Sequence, residues 1–175
     1  MLRAFVIYVA LITLSIFLQG TLLPAVNPNF IVPDLLLILV LIVGLYFRSM
    51  GGLFSALLIG LVSDFAAAKY MGPEAAGSIA AFWVVIYISQ KVYIEHFFGL
   101  MILGFIASFI DQLIYIGMVA TYSAFETGYG KLFSVLLWQA FFTGLLTPLV
   151  AYLVHFLDSK TRPFFTEKSR SLRSY

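Results

Sequence analysis

The sequence contains no cysteine, which excludes disulfides, thiolate metal sites and cysteine nucleophiles. Charge is nearly as scarce. Only 10% of the 175 residues are Asp, Glu, Lys or Arg, against about 25% in an ordinary soluble domain. A chain this poor in charge does not build a water-facing surface of the usual kind. Its formal net charge of +2 is too small to suggest a nucleic-acid partner. Two histidines and no thiol leave little material for a metal centre. No HExxH, phosphate loop, dinucleotide fingerprint or nucleophile–histidine–acid set occurs. Nothing places a nucleophile or electrophilic helper beside the few acids. The expectation is a non-enzymatic protein with no cofactor and no metal.

What fills the chain instead is apolar: 62% hydrophobic residues and a mean hydropathy of +1.05. Long apolar runs predict transmembrane helices. Six spans are expected, at about 3–23, 33–47, 51–68, 75–91, 97–122 and 132–157. The first is long for a signal peptide and lacks an A-x-A-like cleavage site, so it reads as a membrane-anchored helix. Short loops favour antiparallel neighbours in one bundle. The fold class is therefore all-α integral membrane: one six-helix domain over 1–158 and a basic tail over 159–175.

Orientation follows from the basic residues. Placing the N-terminus inside puts Arg3, Arg48, Lys91, Lys160, Arg162, Lys168, Arg170 and Arg173 in the cytoplasm, leaving only Lys69 and Lys131 outside. That bias predicts N-in and C-in. The tail carries five basic residues against one glutamate, enough to attract anionic lipids of the inner leaflet.

Several residues stand out against this apolar background. Pro33-Asp34 marks the start of the second helix, where proline sacrifices no hydrogen bond and an acid caps free amides. Gly52, Ala56 and Gly60 form a small-residue ridge on the third helix. Small residues at that spacing let two backbones approach closely. The ridge either packs within the bundle or receives a partner's helix. Asp64 continues it and lies about 20 Å beyond Gly51 along the helix; Asp111 lies at a similar rise in the fifth span. Gln19, Asp64, Asp111 and Gln139 are thus expected together as a polar cluster in the outer half of the membrane. Such side chains face a bundle interior or a cavity. The cluster either fixes helix register or lines a site. Lys69 is a nearby partner for Asp64, and Lys91 pairs with Glu95 at the inner boundary. His96 reads as a loop residue. Thr147-Pro148 predicts a kink whose freed carbonyl needs another partner.

Taken in order, PDLLLILVL from Pro33, the basic turn at Arg48, Gly60-Leu61-Val62-Ser63-Asp64, Gly72-Pro73 and Gly77 resemble the rod-shape-determining membrane protein family MreD. Leu18–Pro24, LQGTLLP, resembles the end of that family's first span. The resemblance implies a multi-pass protein of the bacterial cytoplasmic membrane, similar in fold to the substrate-binding S-components of energy-coupling-factor transporters. It implies a scaffold role in cell elongation, beside the bitopic protein MreC, the RodA–penicillin-binding-protein synthase and, indirectly, the actin-like MreB. The alternative is a small-molecule-binding transport subunit with its pocket in the polar cluster. The first span, AFVIYVALITLSIF, lacks the Ala-x-x-x-Ala ridge with which S-components meet their coupling partner.

Overall fold

The computed structural model describes residues 2–22, 32–67, 71–91, 97–122 and 129–160. All their regular structure is helical. Helix α1 (Leu2–Phe17) runs on into a π turn (Leu18–Leu22); α2 (Leu35–Tyr46), α3 (Met50–Ala67), α4 (Pro73–Lys91), α5 (Phe97–Tyr122) and α6 (Tyr129–Lys160) follow. Each apolar run of the sequence falls on one of these helices, with ends shifted by a few residues. Residues 50–67, 97–120 and 134–156 are long and apolar enough to cross a membrane, and the protein is a membrane protein whose described regular structure is all helical. The helical stretches at 8–21 and 35–46 are apolar but shorter.

The shortest of the six, α2, is the core. Its sequence LLLILVLIVGLY has no polar face, and every residue from Leu36 to Gly44 is buried. A helix that is apolar all round belongs in an interior. Twelve residues rise only about 18 Å, and α2 is enclosed by longer neighbours. It touches all five other helices, while α3, α4, α5 and α6 also pack in sequential pairs. Ile38, Val40 and Leu41 are fully enclosed, between Ala56 and Ile59 of α3, Phe82 and Val85 of α4, and Leu103 and Ala107 of α5. The Tyr8 hydroxyl donates to the Leu39 carbonyl at 3.2 Å and fastens α1 to this core.

Glycine sets how closely these helices approach. A Cβ on Gly60 would lie 2.6 Å from the Ala75 Cα, and one on Gly52 would run into the Phe47 carbonyl. The Gly52–Ala56–Gly60 ridge expected as a candidate partner-binding face is therefore covered by the chain's own α4 and by the α2–α3 turn. Backbone atoms occupy the space a partner's helix would need. Of the two alternatives, packing within the bundle is the one found. Gly104 and Gly144 perform the same role between α5 and α6, where a Cβ on Gly104 would strike Thr147.

Helix α6 continues through Pro148 without interruption. The Thr147 hydroxyl, on the residue just before the proline, donates one turn back to the Thr143 carbonyl at 2.7 Å. At the end of the bundle where α2 and α4 finish, Arg48 Nη2 donates to the Ser89 carbonyl at 3.4 Å. Lys91 there lies over the Tyr87 ring and donates to its hydroxyl at 2.6 Å. Lys69, Glu95, His96 and the tail beyond Lys160 lie outside the described residues, and so do the expectations placed on them.

Candidate carboxylate site

The starts of α2 and α4 and the end of α3 meet at the opposite end of the bundle, and the acids gather there. Asp34 is the N-cap of α2: its Oδ1 accepts the Leu37 N–H at 2.9 Å, as the Pro-Asp pair predicts. The same oxygen accepts from Gln19 Nε2 at 3.2 Å, and Gln19 also donates to the Pro33 carbonyl at 3.1 Å. The Asp34 N–H in turn donates to the Thr143 hydroxyl at 3.0 Å. One residue therefore joins the π turn after α1, α2 and α6.

Asp64 has a different task. Its carboxylate accepts three backbone N–H groups at the start of α4: Gly72 at 2.9 Å, Glu74 at 3.0 Å and Ala75 at 3.1 Å. The first turn of any helix leaves amides without intrahelical partners. A carboxylate there is favoured by both the hydrogen bonds and the positive end of the helix dipole. Here the cap comes from the preceding helix rather than from the N-cap position itself. The N-cap position is Gly72, whose φ of 111° provides the turn that brings α4 back against α3. Asp64 is a structural acid, buried and satisfied by backbone donors.

The third partner is Asp111, buried in α5 and set against Gly77 of α4, which has no side chain to obstruct it. Asp34, Glu74 and Asp111 each bring a carboxylate oxygen within 4.8 Å of the others. Three helices thus place three acids around one point. Among the described residues no basic side chain pairs with them; Arg48 and Lys91 are at the other end. Glu74 occupies the first turn of α4, ahead of the apolar stretch 75–91. Burial, reinforced by the charges of Asp34 and Asp64, pushes its carboxyl up to about 8.

The polar cluster expected from the sequence is therefore partly regrouped. Gln19 and Asp111 belong to it, and Pro33-Asp34, expected only as a helix-start corner, supplies one of its acids. Asp64 borders it through the α4 cap. Gln139 is half-buried one turn before Thr143 on α6, and it is Thr143 that bonds Asp34. Glu74 was missed. Its position just after Gly72-Pro73, at the same end as Asp34 and Asp64, was the available signal. Comparison with protein-family models, with curated proteins and with solved structures finds no match to this chain.

Proposed function

We propose that this protein is an MreD-like scaffold of the bacterial elongation complex, a non-enzymatic bundle of six membrane-spanning helices with both termini in the cytoplasm. The ordered set of motif residues from Pro33 to Gly77 carries the reading, because five of its polar and small members have a job in one structural unit. Asp34 caps α2, Gly60 admits α4, Asp64 caps α4, Gly72 makes the turn, and Gly77 admits Asp111. Residues so committed to holding helices together suit a protein that presents a fixed surface. The separation of Arg48 and Lys91 from the acidic end agrees with a cytoplasmic placement of the basic end.

The scaffold binds an MreC-like bitopic protein within the bilayer and helps to position or activate the peptidoglycan synthase. Because α4 covers the Gly52–Gly60 ridge, the partner's helix docks on an outward-facing surface of the bundle. A second reading, a small-molecule-binding subunit of a transporter, draws support from the three carboxylates that converge without basic partners among the described residues.

Purification of the tagged protein from its own membranes, with identification of what accompanies it, separates the two. Recovery of a bitopic MreC-like protein, with or without the wall synthase, supports the scaffold. Recovery of ATPase and coupling subunits instead overturns it in favour of the transporter reading.

A further inference from the structure

We propose that Ser108 and Gln112 bind an ordered water in the seam between α5 and α6, one that bridges the two residues. The Ser108 hydroxyl and both amide atoms of Gln112 are buried without a hydrogen-bond partner. Ser108 is fully enclosed and Gln112 is 7% exposed. Both lie inside the membrane-crossing stretch 97–120, and Gln112 is eight residues, about 12 Å, from its nearer end. Buried polar atoms are nearly always paired, because leaving them unpaired in an apolar interior is costly.

The spacing suits one water. Residues four apart on a helix have Cβ atoms about 5–6 Å from each other. A water bonded to two groups spans a similar length, since each hydrogen bond is about 2.7–3.0 Å long. The Gln112 amide offers a donor and an acceptor, and the Ser108 hydroxyl offers both, so a water finds there the polar partners that a buried site requires.

What the hydroxyl does not do is a separate observation. Thr13, Ser55 and Thr147 each donate to the carbonyl four residues back, a common choice inside a helix. Ser108 makes no such bond. Helix α6 does not answer it either. The seam is set where Gly104 meets Gly144 and Thr147. One turn nearer the acidic end, Ser108 follows Gly104 on α5, and the fully buried Ala140 precedes Gly144 on α6. The α6 hydroxyls are engaged elsewhere: Thr147 donates to the Thr143 carbonyl, and the Thr143 hydroxyl accepts the Asp34 N–H. Facing small residues, Ser108 and Gln112 select a small neutral guest that both donates and accepts, and water is that guest. The site is apart from the carboxylate cluster, since Asp111 is set against Gly77 of α4. It is independent of which membrane partner the protein binds.

The test uses the full-length protein in liposomes, with its glutamines isotope-labelled at the side-chain amide nitrogen. Solid-state NMR then reads the magnetisation that passes from water to each amide. The Gln112 signal is the one lost in Gln112→Leu, and Gln90, exposed at the end of α4, shows the transfer that bulk water gives. The expected result is transfer to the Gln112 amide as well, at a depth that bulk water does not reach. Ser108→Ala reduces that transfer at least threefold and leaves the other glutamine signals in place. Absence of transfer to Gln112 in the folded wild type overturns the proposal, and the amide is then paired through a movement of α5 against α6. Undiminished transfer in Ser108→Ala overturns it too, because the water is then not held by Ser108.

Discussion

Asp64, near the end of α3, accepts the backbone N–H of Ala75 at 3.1 Å, so one helix supplies the cap of the next. The carboxylate holds three amides that no other described group reaches. Asp64→Ala leaves them unpaired in a buried place, at a cost of about 1–3 kcal/mol for the unsatisfied donors. Asp64→Asn retains an acceptor oxygen and loses less. Thermal unfolding in detergent should rank the midpoints wild type, Asn, Ala. Equal midpoints for Ala and wild type would rule out the capping role.

Gly60 and Gly117 make a controlled comparison. A Cβ at Gly60 meets the Ala75 Cα at 2.6 Å and the Glu74 carbonyl at 2.9 Å, both backbone, while one at Gly117 meets nothing within 4 Å. Backbone cannot rotate away, so Gly60→Ala forces α3 and α4 apart at a cost of about 1–3 kcal/mol. Gly117→Ala is neutral or mildly stabilising, since glycine is the poorer helix former by about 0.5–1 kcal/mol. Unfolding midpoints of the two variants check this. If Gly60→Ala folded normally and lost only a membrane partner, the ridge would be an intermolecular face after all.

Gly77 and Asp111 are coupled by the same logic across α4 and α5. Gly77→Ala drives a methyl group into the Asp111 carboxylate and displaces it from the cluster. The predicted loss is about 1–3 kcal/mol, typical of overpacking. Shortening the opposing side chain makes room, so Gly77→Ala with Asp111→Ala should lose less than the two single variants added together. Residues in contact commonly show such non-additivity, by about 0.5–3 kcal/mol. Strict additivity in the unfolding cycle would mean that the two do not meet.

These couplings explain what could be read from the chain and what could not. The apolar runs were legible because α2 to α6 have few polar interruptions, and the Asp34 cap because a Pro-Asp pair acts locally. Asp64, Asp111 and Gln19 were flagged as polar residues at a shared depth, which hydropathy and helical rise convey. Their division of labour was not legible. It depends on which oxygen meets which amide, and therefore on the Gly72 turn that folds α4 back onto α3. Glu74 escaped notice because an acid in the first turn of a helix is ordinary by itself. Its importance comes from Asp34 and Asp111, on helices far away in sequence. The ridge on α3 was visible as a pattern, but a stripe of small residues does not identify the helix that fills it.

Glu74 provides the remaining test, through pH. Its ordinary value is 4.5, and in the folded protein it is pushed up to about 8, first by burial and then by the charges of Asp34 and Asp64. The unfolded chain therefore releases this proton at lower pH than the folded chain does. Between these two values the folded state binds more protons, so raising the pH favours unfolding. The contribution is fully present below about 4.5 and declines as pH rises through about 8. In metal-free buffer the unfolding midpoint should fall from pH 5.5 to pH 8.5. Glu74→Gln, which cannot ionise, should flatten that fall and melt above the wild type at the higher pH. A variant whose profile parallels that of the wild type would show that Glu74 is ionised without penalty, and the repulsion inferred among the three acids would then be absent.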